Sequence, residues 1–272
     1  MNAPVLELRS LRPYPGTRFA SRHWKRAACA AQTPRRNHLL AALPAAEYER
    51  LRPDLEPVAL PAGSTVYDAG ERERHLVFLT AGLVSRYCVT ESGASAEFAI
   101  SGREGVIGVA AFLGGGSTPH RAVVLNTGYA YRLPAERLKD EIRRDGALAS
   151  LLLRYVCAFI AQTGQNVVCN RHHSIEQQLC RWILSCLDRL DANETAMTQE
   201  VIAHMLGVRR EGVTEAAGRL QQAGLIHCSR GHIAVLDRPG LETRACECYT
   251  VVKREYDRML PELRPAQAPS WT

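Results

Sequence analysis

The sequence predicts an α+β chain: an N-terminal antiparallel β-roll of the jelly-roll kind, then a long helix, then a C-terminal winged helix-turn-helix domain. Three observations predict it. Between Glu56 and Leu133, short β-rich runs alternate with glycine-bearing turns. From Gly146 to Gln165, apolar residues recur at steps of three and four. Beyond Thr198, two helical patterns meet at a glycine and lead into a short hairpin. On this reading residues 1–36 are a basic extension without fixed structure, 37–145 the roll and 146–172 the long helix. Residues 173–240 are the winged domain and 241–261 a final helix.

Charge is distributed unevenly. The 272 residues carry a net +6, but residues 1–36 hold eight basic side chains against Glu7 alone. The other 236 residues therefore hold 26 basic and 27 acidic ones, so the folded part is close to neutral. The extension has Pro4, Pro13, Pro15 and Pro34 and no apolar periodicity, which predicts disorder. Three roles stay open for it: a start that does nothing, a basic arm that touches nucleic acid, or a targeting signal without the apolar segment that export needs. No uninterrupted apolar run approaches the ~20 residues of a membrane span, so no membrane partner is expected. Nine scattered cysteines in a chain of this size argue against a disulfide framework and for a reducing cytoplasm.

"NHLLAALPAAEYERLRP" (Asn37 to Pro53) reads as one short helix with Leu39, Leu40, Leu43, Tyr48 and Leu51 on one side. The strand runs follow: "VYDAG", "HLVFLTAG", "LVSRYCV", "AEFAI", "GVIGVAAF", "RAVVLN" and "YAYRL", with Glu91-Ser92-Gly93 as one turn. Pro134 opens a helix carrying Leu138 and Ile142 on one face. In the long helix Leu148, Leu152, Tyr155, Phe159 and Gln162 form a heptad seam, which suits either a core helix or a dimer helix. "SIEQQLCRWILSCLDRL" is a further amphipathic helix, ended by Asp191-Ala192-Asn193. Leu241, Ala245, Cys248, Val252, Tyr256 and Met259, bracketed by Pro239 and Pro261, predict the last helix, packed on the winged domain or serving a regulatory contact.

The most informative stretch begins at Thr198, a good N-cap for "QEVIAHML". Gly207 supplies a tight turn, Ala203 a small residue at a helix crossing, and Val213 an apolar anchor in the second helix. Gly224 ends that helix, and "LIHCS" and "HIAVL", joined through Arg230-Gly231, form a wing. The first turn of such a second helix is the end that enters a major groove. Its free amides favour phosphate, Arg209 or Arg210 can face a phosphate or guanine, and Glu211 can accept from cytosine N4.

"MTQEVIAHMLGVRREGVTEAAGRLQQAGLI" resembles the DNA-binding helix-turn-helix of the CRP/FNR family of bacterial transcription regulators, and "YDAG…HLVFLTAGLVSRYCV", with turns at Gly70 and Gly82, resembles the family's β-roll. The likeness spans about residues 37–236. It implies a cytoplasmic homodimer, paired through the long helix, that binds double-stranded DNA at a palindrome and has RNA polymerase as a partner. It implies that Arg210 contacts guanine and Glu211 the opposing cytosine. Glu215 stands where the cyclic-AMP receptor has a second base-reading arginine, so the half-site should differ from the best-known family sequence. Thr198, Gln199 and Arg209 are placed for backbone contacts, and Thr214 completes the candidate set.

The same resemblance makes the roll a sensor domain. Cyclic-nucleotide-binding members hold the ribose with a glutamate after a glycine, and the phosphate with a downstream arginine. Here Gly108 is followed by Val109, and Arg121 is the downstream arginine. Valine cannot accept a ribose hydrogen bond, and an unpaired buried hydroxyl costs ~1–3 kcal/mol, so cyclic AMP is not the expected effector. Cys29 alone cannot supply an N-terminal iron–sulfur cluster. Cys169, His172, His173, Cys246 and Cys248 are candidate metal or redox positions, but their spacing matches no strong zinc pattern, so neither metal nor cofactor is expected. No paired carboxylates, nucleophile–base constellation or phosphate loop suggests an enzyme. The competing reading is a cyclic-nucleotide-fold signalling module that regulates a partner protein without sequence-specific DNA binding.

Overall fold

The computed structural model describes residues 33–190, 193–229 and 231–261. Most of the basic extension and the Asp191-Ala192 break therefore lie outside the described residues, as does Arg230. Within the expected extension, Pro34–Arg36 form a 3-10 turn. The single helix expected next is two, α1 (His38–Ala41) and α2 (Ala45–Leu51), because Pro44 cannot continue the first. Its five apolar residues are buried as expected. Asn37 fastens this hairpin to the roll: its carbonyl oxygen caps Leu40 N, and its amide reaches the carbonyls of Leu79, Arg103 and Gly105 at 2.9–3.0 Å.

The roll contains β1 (Glu56–Leu60), β2 (Thr65–Tyr67), β3 (His75–Val89), β4 (Ser95–Ser101) and β5 (Val106–Ile107), then helix α3 (Ala110–Leu113) and β6 (Arg121–Pro134). Its antiparallel sheet runs β1-β6-β3-β4, with β2 on β6 and β5 on β3. Two expectations fail here. "HLVFLTAG" and "LVSRYCV" are one fifteen-residue strand, and "RAVVLN" and "YAYRL" are one of fourteen. Gly82 is therefore a bulge inside β3 and not a turn. The β3–β6 register slips between Leu79 and Val84, and a Cβ on Gly128 would sit 1.9 Å from the carbonyl oxygen of Ala81. Glycines facing each other across two long strands let the sheet bend onto itself without breaking the ladder. Likewise "GVIGVAAF" is strand only at β5 before it turns into α3.

Helix α4 (Ala135–Arg143) leads to α5 (Ala147–His172), which is 26 residues long. Against the expectation drawn from its polar interruptions, α5 is long and apolar enough, by length and composition, to cross a membrane. The expected heptad seam is internal to the subunit: Leu148, Leu152, Tyr155 and Gln162 are buried against the chain's own roll and N-terminal helices. The exposed apolar stripe is a different one, Leu153, Ile160 and Val167, at steps of seven.

The C-terminal part has α6 (Ile175–Leu187), β7 (Glu194–Ala196), α7 (Gln199–Leu206), α8 (Arg210–Gln222), β8 (Ile226–Ser229), β9 (His232–Val235), α9 (Arg238–Arg244) and α10 (Cys248–Met259). Ser174 and Gln177 form a capping box at the start of α6. The wing is a three-stranded sheet, β7-β9-β8, whose first strand the sequence reading missed. The expected final helix is two, because Ala245 adopts extended backbone. The second of them, α10, lies along α5 as well as α6, so it does not belong to the winged domain alone.

One apolar core runs across the domain boundary. Leu83, Tyr87, Ile100, Val123 and Leu125 of the roll pack with Leu179, Trp182, Ile183, Met205 and Leu206 beyond the long helix. At its centre the Glu97 carboxylate accepts from Ser85 Oγ at 2.5 Å and Trp182 Nε1 at 2.9 Å. Burial pushes this carboxyl from 4.5 to about 7, outweighing those hydrogen bonds and the nearby Arg181 and Arg189. The folded protein then binds more protons than the unfolded chain between pH 4.5 and about 7, so this group lowers stability as pH rises through that window. Glu97→Gln removes the charge while its amide oxygen still accepts from Trp182 Nε1 and its amide nitrogen donates to Ser85 Oγ, reversing that bond. It is expected to raise stability at about pH 8 by ~1–3 kcal/mol and to flatten the melting temperature between about pH 5 and 8. Thermal melts across that range check this, and an unchanged pH dependence would refute it.

Candidate nucleic-acid interface and sensor region

Thr198 caps α7 by accepting from Val201 N at 3.3 Å, and Gly207 ends it in the left-handed region at φ +67°. Arg209 is the N-cap of α8, which begins at Arg210. Ala203 and Val213 are both buried at the crossing, and Ala216, Ala217 and Leu220 complete the inward face of α8. That inward set leaves Arg210, Glu211, Thr214 and Glu215 exposed on the opposite face, with Arg209 exposed beside them. The sequence-predicted residues therefore come together on one surface.

They are not equivalent there. The Thr214 hydroxyl lies 2.7 Å from Gln199 Oε1 and 3.0 Å from the Arg210 carbonyl, so Thr214 and Gln199 brace α8 against α7. Arg219, further along α8, is held by Glu176 at 2.7 Å, and Glu176 also takes Arg244 at 3.0 Å. Arg219 and then Arg244 hold the Glu176 carboxyl below its usual range. This clasp joins α6, α8 and α9 and fixes the inclination of α8. The wing is fastened to the same helix through Gln221, whose side chain accepts from Cys228 N at 2.8 Å.

In the roll, Gly108 has φ +100°, and a Cβ there would sit 2.3 Å from the carbonyl oxygen of His75. Val109 is buried and precedes α3. Arg121 forms an ion pair with Asp68 at the mouth of β6. Three further residues give this region its character, and sequence reasoning missed them. Glu73 is buried; its carboxylate accepts from Ala110 N at 2.7 Å and from Thr118 Oγ1 at 3.2 Å. Burial raises that carboxyl despite those bonds. Arg86 is fully buried, donates to Ser101 and Tyr155, and lies 4.2 Å over the ring of Phe159. His120 packs edge-on to Tyr67 and Phe98, and burial, then Arg86, pushes it down to about 4. A charged residue inside the otherwise apolar "LVSRYCV" was the available signal for Arg86.

The fold brings together four of the cysteine and histidine candidates whose spacing matches no strong zinc pattern. Cys169, His173, Cys246 and Cys248 place one ligand atom each within 4.8 Å of one another, although 73 residues separate the two pairs. His172, the other candidate, is exposed at the end of α5 and is not part of this group.

Two family models match the sequence: the cyclic nucleotide-binding domain over residues 57–145 and the Crp-like helix-turn-helix domain over residues 177–244. The chain belongs to the CRP/FNR family. It is a transcription regulator of that type, with a cyclic-nucleotide-binding-type roll and a helix-turn-helix domain. One relative is the CRP-like cAMP-activated global transcriptional regulator of Mycobacterium tuberculosis, 23% identical over 202 residues, which are 72% of this chain and 90% of the relative. Among solved structures, FixK2 from Bradyrhizobium japonicum has a similar fold (TM-score 0.62, 17% identity, 71% of this chain and 98% of that one). So does a CRP/FNR-family transcriptional regulator from Thermus thermophilus (TM-score 0.56, 23% identity, 70% and 98%).

Gly207 tests the geometry of this CRP/FNR helix-turn-helix. Besides its left-handed backbone, a Cβ would sit 2.8 Å from the carbonyl oxygen of Ser95 in the roll. Gly207→Ala should therefore cost at least ~1–2 kcal/mol. A chemical-denaturation curve superimposable on that of the parent protein would contradict this placement.

Proposed function

We propose that this chain is a cytoplasmic homodimer that reads a palindromic DNA operator through Arg210 and Glu211, with RNA polymerase as its working partner. The observation that carries the reading is the position of that pair, exposed in the first turn of a helix whose other face is locked into the core. In that geometry the free amides meet phosphate while Arg210 reaches guanine O6 and N7. Arg209 and Thr198 take the backbone. Gln199 and Thr214 act through their mutual hydrogen bond, which sets the tilt of the helix. Glu215 faces outward among these groups and repels phosphate, which favours a half-site unlike the familiar one.

The exposed stripe of Leu153, Ile160 and Val167 supports pairing through α5, since steps of seven keep one seam facing a partner helix. A two-fold dimer then presents its recognition helices about 10 bp apart, and affinity falls steeply with salt. The sensor's effector is not cyclic AMP on this reading. Val109 cannot hold a ribose hydroxyl, Arg121 is already neutralised by Asp68, and Glu73 occupies the amide at the start of α3.

Arg210→Ala is expected to lower affinity for a selected operator by about 10–100-fold while leaving non-specific binding at low salt nearly intact. Mobility shifts on selected and scrambled duplexes measure both. Unchanged operator affinity would remove Arg210 from the reading, and no sequence-preferring shift by the parent protein would favour the partner-regulating module. Ile160→Glu places a charge in the exposed stripe and should yield a folded monomer, checked by analytical ultracentrifugation and circular dichroism. A dimer of unchanged affinity would locate the interface elsewhere.

A further inference from the structure

We infer that Cys169, His173, Cys246 and Cys248 bind one zinc ion in a tetrahedral Cys3His site that clasps the end of the long helix to the elbow between α9 and α10. Cys169 lies in the last turn of α5 and His173 is its C-cap, so the spacing of four puts both on one side of the chain as it leaves the helix. Cys246 and Cys248 straddle the start of α10. The Sγ atoms of Cys169 and Cys246 are 3.5 Å apart, and Cys248 Sγ is 3.4 Å from His173 Nδ1. With Zn–S bonds of ~2.3 Å, the sulfurs of a tetrahedral site lie ~3.8 Å apart. Four donors that all fall within 4.8 Å thus match the edges of a single-ion tetrahedron. An iron–sulfur cluster, whose irons are spread over several positions, would hold its cysteines further apart.

The surroundings are those of a metal site rather than of ordinary buried thiols. Free cysteines usually fill gaps in an aliphatic core. Here Cys169, Cys246 and Cys248 are buried chiefly against one another, apart from the main cores. His173 turns Nδ1 toward the sulfurs, and its Nε2 lies 3.3 Å from Glu247 Oε1, the carboxylate–histidine arrangement that orients a ligating imidazole. Two further groups donate to the sulfurs: Gln165 Nε2 to Cys248 at 3.1 Å and Arg181 Nε to Cys169 at 3.2 Å. Three thiolates on a divalent ion leave one excess negative charge, and buried Arg181 offsets it. Its Nη1 is fixed by Asn166 Oδ1 at 2.8 Å, so the guanidinium is aimed at the site. Three soft sulfurs and one imidazole favour zinc over magnesium or calcium, which take oxygen ligands. On binding, the thiol protons leave to solvent and no electron is transferred.

The site ties together three segments: the end of the long helix, the first residues of the DNA-binding domain and the C-terminal helix pair. This inference concerns the cysteine cluster alone and stands independently of which DNA residues read the operator. Full-length protein purified under reducing conditions from zinc-supplemented cells, analysed by plasma mass spectrometry, should hold one zinc per chain. Cys246→Ser and His173→Ala should lose it, whereas Cys88→Ser, in an exposed thiol outside the cluster, should keep it. Replacement by cobalt(II) should give the visible absorption of a tetrahedral thiolate site, a readout that needs no variant to fold. Chelation of the parent protein should lower its melting temperature, and added zinc should restore it. Metal-free parent protein with all cysteines titrating as free thiols would overturn the inference, as would a Cys169–Cys246 disulfide or a brown, sulfide-releasing cluster.

Discussion

A buried guanidinium that forms no salt bridge among the described residues, Arg86, sits where the roll meets the long helix. Burying a cation is costly unless its hydrogens and charge are met. Here Nη2 donates to Ser101 on the neighbouring strand and to Tyr155 on α5, and the guanidinium lies over the face of Phe159 one turn further along the same helix, while Nε and Nη1 are buried without a hydrogen-bond partner among the described residues. Tyr155 in turn donates to the carbonyl of Val106, so a single phenol links β5, β3 and α5. If α5 slid along the roll, Arg86 would lose two of its three compensations at once. The position of the helix, and of everything attached to its end, is therefore set by these polar contacts together with the apolar packing of Leu148, Leu151 and Leu152.

Glu97, on the strand next to Arg86, does the corresponding work for the DNA-binding domain. Its carboxylate is shared between Ser85 of the roll and Trp182 of α6, in the middle of a core that both domains contribute to. A second tie, Ser95 with His204 at 2.8 Å, holds α7 against β4. The helix-turn-helix is thus oriented from two directions, through α5 and through the sheet. A change in the roll reaches α8 by either route without passing through a flexible linker among the described residues.

What could be read from the sequence follows from how local the governing physics is. Thr198, Gly207, Val213 and Gly224 each act within one or two turns of their own chain, so the local sequence is enough to place them. Gly82 reads as a turn in the sequence because its real role depends on Gly128, forty-six residues away on a strand whose pairing no local pattern reveals. The seam on α5 suits a core helix and a dimer helix alike for another reason. The helix is apolar on more than one side, so periodicity finds a stripe but cannot say whether it meets the chain's own roll or faces outward. The cysteine pairs show the limit most clearly. Within each segment the spacing is unremarkable, and only the folding of α10 back along α5 turns them into four converging donors.

The sensor region shows how charges inside a fold can replace those of a ligand. Arg121 faces Asp68, and the amide that opens α3 faces Glu73, so two groups that could have met an external anion meet carboxylates of the same chain. A phosphate entering here would have to displace both carboxylates, and like-charge repulsion from each would oppose it before any contact formed. Glu73 is held by the bonds from Ala110 and Thr118, while burial raises its carboxyl above the ordinary value despite them. The roll keeps the architecture of a cyclic nucleotide-binding domain, with Asp68 set against Arg121 and Glu73 against the amide that opens α3.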